Sequence, residues 1–176
     1  MTVGLTTGRQ SAAKRLFSFP NPVNEVSARL VAGGVVVMSA LTIAFGWHWA
    51  VYVIAYGFVA RVLTGPSLSP LGQLVTRVLT PRLGLQPKYV AGPPKRFAQG
   101  VGAVFTVTAA VLTALGHWSA AEVLLGVIVV FATLESVFAF CMGCKVFALL
   151  MRIGIVPDEV CERCADIGAH YGAPVS

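Results

Sequence analysis

The sequence predicts an all-α membrane protein with four transmembrane helices arranged as two hairpins. Of its 176 residues, 56% are hydrophobic and only 11% are charged, whereas an average soluble domain has about 25% charged residues. The charges are also unevenly placed: residues 30 to 60 contain none, and residues 97 to 140 contain only Glu122 and Glu135. This composition excludes an ordinary soluble domain, a disordered chain and a small disulfide-rich scaffold.

The first hairpin is predicted over residues 22 to 63, with helices at about 22 to 45 and 48 to 63. The uncharged run from residue 30 to 60 is too long for one helix, because crossing a ~30 Å hydrocarbon core takes about 20 residues. The chain is expected to fold back at Gly46-Trp47-His48-Trp49, where glycine weakens the helix and tryptophan favours the membrane interface.

The second hairpin is predicted over residues 95 to 141, with helices at about 95 to 115 and 120 to 141. Its corner is Gly116-His117-Trp118, and the capping-box pattern Ser119-Ala120-Ala121-Glu122 is expected to start the fourth helix. Because the two corners resemble each other, the hairpins suggest a parallel internal repeat. Any two apolar hairpins rich in glycine would also look alike, so both interpretations stay open.

The basic residues predict the orientation in the membrane. None of the 13 Lys and Arg residues lies at either corner. The positive-inside rule therefore predicts that the N-terminal tail (1 to 21), the central loop (64 to 94) and the C-terminal tail (142 to 176) are cytoplasmic. The expected location of the protein is the plasma membrane. The lipid bilayer is the expected partner and nucleic acid is not, since no basic cluster is interleaved with stacking aromatic residues.

A further helix is predicted within the central loop. Ser69 is a helix cap and Pro70 suits the first helical position. Apolar residues then recur at helical spacing, at Leu71, Leu74, Val75, Val78 and Leu79. This amphipathic helix is expected either to lie in the cytoplasmic interface or to pack beneath the bundle. Pro81 is expected to end it, and Gly92-Pro93-Pro94 to keep the chain extended up to the third helix.

Three motifs carry a resemblance to a known family. They are Phe19-Pro20-Asn21-Pro22-Val23-Asn24-Glu25, Gly92-Pro93-Pro94-Lys95-Arg96-Phe97-Ala98-Gln99, and Leu134-Glu135-Ser136-Val137-Phe138 running into Cys141-Met142-Gly143-Cys144. In this order they resemble an integral-membrane family common in actinobacteria and catalogued as a domain of unknown function. The resemblance covers about residues 17 to 153 and implies a four-helix membrane protein without an established reaction. Such families tend to be encoded near thioredoxin-like and rhodanese-like proteins, which implies a cytosolic partner of that kind.

Glu135 is the charged residue that apolar packing does not explain. It is expected inside the fourth helix, where a charge costs on the order of 3 kcal/mol, so it needs a partner or a proton. Counted from the corners, Arg29 lies at nearly the same depth, and Arg61 lies slightly deeper and could also reach. A buried ion pair of Glu135 with Arg29 or Arg61, joining distant helices, is the favoured interpretation, and a proton relay is the alternative.

All four cysteines fall in the last part of the chain, as Cys141-x-x-Cys144 and Cys161-x-x-Cys164. On the expected topology they face the cytoplasm, where thiols stay reduced and a structural disulfide is disfavoured. One interpretation is a zinc site of all four thiolates, because two such pairs at this spacing can close a tetrahedron. The other is thiol chemistry, in which a C-x-x-C pair cycles between dithiol and disulfide.

The thiol interpretation favours the first pair. If Gly143 breaks the fourth helix, Cys144 would open a new helix beside Lys145, a setting that favours a thiolate. The leading hypothesis is thus a membrane-anchored thiol partner of a cytosolic redox or sulfur-carrying protein, with Cys141 and Cys144 reactive. The alternative is a non-enzymatic scaffold whose tail is folded by zinc, and a small transporter ranks third.

Overall fold

The computed structural model describes residues 22 to 84 and 86 to 155. Its first helix, α1 (Glu25–Phe45), starts at Asn24, whose side chain accepts a hydrogen bond from the Val26 N–H. α1 ends at Gly46, which adopts the left-handed conformation (φ 62°) that glycine tolerates without strain. The second helix, α2 (His48–Thr64), begins immediately after this turn. The predicted corner and both helices of the first hairpin are confirmed.

The central loop forms the predicted helix. This helix, α3, consists of Pro70–Leu74, a wider π-helical turn at Val75–Leu79 and a last turn at Thr80–Arg82. The side chain of Ser69 caps it by accepting from the Gly72 N–H at 3.2 Å. Because proline tolerates helical φ, the helix runs through Pro81 and does not end there.

α3 packs against the transmembrane-type helices α1 and α2. Val75 is buried, and the hydroxyls of Ser27 and Thr80 share a hydrogen bond of 3.0 Å. At Gly34 of α1 there is no room for a side chain, since a methyl group would lie 2.7 Å from Leu71. These contacts fit packing beneath the bundle, although part of the apolar face of α3 is exposed.

Two short strands pair with each other, one just before α1 and one just before the third long helix. β1 (Val23–Asn24) pairs in antiparallel fashion with β2 (Tyr89–Val90), with Val23 opposite Val90. The next helix, α4 (Gly92–Ala114), includes both prolines of Gly92-Pro93-Pro94 in its first turn. The expectation of an extended chain there is wrong, because proline fits the first turn of a helix, where no N–H partner is needed.

The second corner lies at Gly116, whose φ is 81°. It leads into α5 (Trp118–Phe138), which starts earlier than the capping-box pattern predicts, and no side-chain cap forms at His117. α5 ends at Ala139, a non-glycine residue in the left-handed conformation (φ 55°). The last described helix is α6 (Met142–Arg152), so the predicted helix through residue 141 breaks before Gly143.

The long helices pack in two antiparallel pairs, α1 with α5 and α2 with α4, and α4 also contacts α5 and α6. The two corners meet at one end, where the rings of His48 and Trp118 lie 4.1 Å apart. The core between the helices is apolar: Val35, Val51, Ile54, Phe58, Ala109, Ala121, Leu125 and Ile128. The two short strands, α3 and α6 lie at the opposite end of the helix bundle.

Three helices are long and apolar enough to cross a membrane: α1, α4 and α5. Only 28%, 17% and 17% of their most apolar stretches is buried inside the molecule, so most of this apolar surface faces outward, as lipid-facing helices require. α2 is also apolar but has only 17 residues. The chain therefore has the helices of a membrane protein, while a fourth span and an internal repeat stay predictions.

Candidate functional site

Polar groups gather at the end of the bundle opposite the corners. The Lys95 ammonium forms a salt bridge of 2.7 Å with Oε1 of Glu135, which joins α4 to α5. Both side chains are largely buried, with exposed fractions of 9% and 18%. The partner of Glu135 is therefore Lys95, and this corrects the expected salt bridge with Arg29 or Arg61.

Arg29 lies near Glu135, as the depth argument predicted, but binds the backbone. Its Nε and Nη2 donate to the Ser136 carbonyl at 3.0 and 2.9 Å, and Nη2 also donates to the Val137 carbonyl at 3.0 Å. These carbonyls belong to the last turn of α5, where helix geometry leaves acceptors unpaired and a cation is favoured. Arg29 thus fastens α1 to the end of α5.

Arg61 is buried and makes only neutral contacts. Its Nε donates to Oε1 of Gln99 at 3.0 Å, its Nη1 donates to the Ser69 hydroxyl at 3.2 Å, and its guanidinium lies 4.5 Å from the centre of the Phe58 ring. These bonds link α2 to α4 and α3. Arg61 therefore organises the junction of three helices without a carboxylate in contact.

The sequence did not predict that Lys95 pairs with Glu135 or that Gln99 accepts a hydrogen bond from Arg61. Ser69 was predicted only as a helix cap, without its bond to Arg61. Lys95 and Gln99 lie four residues apart in α4, and so on one helix face. Lys95 was predicted as the first residue of the third helix, whereas α4 begins three residues earlier, at Gly92. Two polar residues at this spacing on an otherwise apolar helix are the signal that could have revealed Lys95 and Gln99.

The first cysteine pair lies at the start of α6. Cys141 is the residue before the first turn, and Cys144 lies within that turn. Both are free thiols; Cys141 is buried and Cys144 is partly exposed. A new helix does open at this pair, but Gly143 is not the breaker: the fourth helix ends at Ala139, and α6 starts at Met142 with Gly143 inside it.

The two thiols lie close enough for a hydrogen bond from one to affect the pKa of the other. The bond from the Cys144 thiol lowers the pKa of Cys141, and the nearby Lys95 ammonium acts in the same direction against burial and Glu135. The same bond, together with burial, raises the pKa of Cys144. The pair is therefore asymmetric, with the negative charge favoured on Cys141.

Close packing fixes this turn. Gly143 lies against α4 so tightly that a methyl group there would approach the Ala98 Cα to 2.6 Å. The rings of Phe97 and Phe147 pack at 5.6 Å between the same two helices. Both contacts hold the thiols beside the Lys95–Glu135 salt bridge.

A cavity of about 200 Å³ extends from this site into the bundle. Its walls are mostly apolar, and polar groups occur where it meets the site. The polar members are Arg61, Gln99, Glu135 and Cys141, and the apolar members include Val35, Phe58, Phe105, Ile128 and Phe131. A mostly apolar cavity with a few convergent polar groups is typical of a small-molecule site.

The predicted zinc site has no counterpart within residues 22 to 84 and 86 to 155, where no three His, Cys, Asp or Glu side chains are grouped to hold a metal. Cys161 and Cys164 lie outside the described residues. A zinc site shared by the two cysteine pairs therefore stays a prediction.

Apolar outward-facing helices, a buried ion pair and a pair of free thiols at one end define a helical membrane-type protein with a polar site. Residues 23 to 152 match the family model described as "Domain of unknown function (DUF4395)", and the chain belongs to this family. The expected resemblance to a family catalogued as a domain of unknown function is thus confirmed. No curated protein and no solved structure matches the chain.

Proposed function

We propose that this multi-pass membrane protein exchanges thiols and disulfides with a cytosolic partner through Cys141 and Cys144. The observation that carries the proposal is the placement of two free thiols at the start of α6, Cys141 just before its first turn and Cys144 within it, beside the buried Lys95 ammonium. The basic residues support a cytoplasmic position for this end, four spans and residence in the plasma membrane.

The asymmetry of the pair favours one direction of exchange. In the oxidised pair, a partner thiolate attacks the more exposed Cys144 sulfur, the bond between the two cysteines breaks, and Cys141 leaves as a thiolate. A low pKa makes Cys141 the better leaving group. The partner's second thiolate then attacks its own sulfur in the mixed disulfide and releases Cys144, which takes up a proton.

The net result is a balanced two-electron exchange. The partner's dithiol becomes a disulfide, and the pair Cys141 and Cys144 gains the two electrons and two protons that the partner loses. The reverse steps with another disulfide restore the oxidised pair. A thioredoxin-like protein supplies a dithiol of the required kind, and it is one of the two classes of partner that the family resemblance implies.

The test is a thiol titration of the full chain in lipid nanodiscs, combined with metal analysis. The variant Cys161→Ser/Cys164→Ser isolates the first pair. After mild oxidation, its mass should fall by two hydrogens, peptide mapping should place the disulfide between Cys141 and Cys144, and dithiothreitol should restore both thiols.

The matched variant Cys141→Ser/Cys144→Ser keeps the second pair and should form no such disulfide. The zinc scaffold makes the opposite prediction for the unmodified chain. Stoichiometric zinc, with thiols that react only after chelation, would refute the exchange function and establish the scaffold.

A further inference from the structure

Arg61 carries a positive charge that the described part of the chain does not balance. Its exposed fraction is only 6%, and its hydrogen-bond partners, Gln99 and Ser69, are neutral. Within residues 22 to 84 and 86 to 155, the salt bridges are those of Lys88 with Glu25 and of Lys95 with Glu135. Glu135 attracts Arg61 electrostatically, but its carboxylate is already paired with Lys95.

A buried charge without a counter-charge is costly, and in a membrane helix it usually marks a ligand or ion site. A guanidinium has five N–H donors, and those donating to Gln99 and Ser69 leave further donors for a ligand. Because Gln99 accepts from Arg61 through Oε1, its amide nitrogen is also left as a donor. Such a set of donors suits the oxygens of an anion.

The space around Arg61 fits this interpretation. The guanidinium borders three cavities, of about 200, 260 and 260 Å³. The first of them continues from Arg61 past Phe58 and Ile128 into the apolar interior of the bundle. A ligand held by its charge at Arg61 would therefore place an apolar chain between the long helices.

We propose that Arg61, assisted by Gln99, binds the oxyanion head group of an amphipathic monoanion whose apolar chain occupies the 200 Å³ cavity. A carboxylate and a phosphate monoester share the required chemistry. The head-group contacts involve no cysteine, although Cys141 lines the cavity that would hold the apolar chain, so binding and thiol exchange are tested by separate readouts.

The probe is hexanoate, which combines a carboxylate with a short apolar chain. Isothermal titration into the full chain in phosphatidylcholine nanodiscs should show saturable binding after subtraction of empty nanodiscs. Arg61→Gln should weaken this binding by about tenfold or more, because a charge-assisted hydrogen bond is lost. Arg77→Gln removes the same charge from an exposed position of α3 and should leave the affinity unchanged within about twofold.

A second variant keeps the test decisive if Arg61→Gln does not fold. Ala132 lines the same cavity, and Ala132→Phe should fill it while leaving Arg61 in place. Hexanoate binding should then be lost while acetate still binds. Hexyl phosphate compared with hexanoate identifies the preferred head group.

Three results would overturn the proposal. One is equal hexanoate affinity in Arg61→Gln and Arg77→Gln. Another is hexanol binding as tightly as hexanoate, since it lacks the charge. The third is unchanged hexanoate binding in Ala132→Phe. The disulfide of Cys141 and Cys144 reports on thiol exchange, and the comparison of Arg61→Gln with Arg77→Gln reports on anion binding, so the two proposals fail separately.

Discussion

The Lys95–Glu135 salt bridge gives the sharpest prediction for stability. The Lys95 side chain is 9% exposed, and replacing Glu135 with Leu leaves its ammonium without a carboxylate. Breaking a buried pair in this way costs about 3 to 5 kcal/mol, because the remaining charge is desolvated without compensation. Lys95→Met should cost a similar amount for the carboxylate. The double variant replaces both charges with apolar groups and should be nearly as stable as the original chain or more so.

The measurement is reversible unfolding in mixed micelles, with the four proteins arranged as a double-mutant cycle. The coupling energy should be about 3 kcal/mol or more. The surface salt bridge between Lys88 and Glu25, at 3.1 Å with Lys88 74% exposed, is the matched control, and its coupling should be about 0 to 1 kcal/mol. If the Lys95 and Glu135 substitutions simply add within about 0.5 kcal/mol, the buried pair is not a structural unit.

Three further predictions concern particular residues. Gly102→Ala should destabilise the protein by about 1 to 3 kcal/mol, because a methyl group would collide with an aromatic ring of α2. Gly100→Ala, which meets open space, should be neutral or stabilising by up to about 1 kcal/mol in the same unfolding assay. Ala139→Gly should stabilise by about 1 kcal/mol, since glycine removes the strain of the left-handed conformation; a lower unfolding midpoint would contradict this. Cys144→Ala should move the pH profile of Cys141 alkylation to higher pH, because it removes the hydrogen bond that stabilises the Cys141 thiolate. Cys144→Ser keeps a donor at this position and should preserve the original profile. Peptide mass spectrometry measures both profiles, and identical shifts in the two variants would contradict the mechanism.

Features that depend on residues adjacent in the sequence could be predicted. The left-handed turn at Gly46, the Ser69 cap and the length of the first hairpin all follow from local chemistry. Helix ends that depend on tertiary packing could not. The cap pattern at Ser119 is not used, because α5 already begins at Trp118, and α5 ends at Ala139, a residue without any local stop signal.

The site shows the same division. A helix start at Cys141 and Cys144 was predicted from Gly143 as a breaker, whereas the break lies at Ala139. The partner of Glu135 depends on which face of α4 turns toward α5. Counting residues from the corners gives the depth of a residue in the membrane, but it does not give the direction in which its side chain leaves the helix. Lys95 was therefore overlooked, and Arg29 was assigned a carboxylate where it binds carbonyls of α5.

The polar bonds that join distant helices impose an order on biosynthesis. Arg61 belongs to the first hairpin to leave the ribosome, yet its acceptor Gln99 is made later, and the Ser136 carbonyl that receives Arg29 later still. Until then the insertion machinery or water must solvate these guanidinium groups. Chains halted before α5 should consequently remain bound to the translocation machinery or be degraded, so that the completed polar end acts as a checkpoint for release into the bilayer.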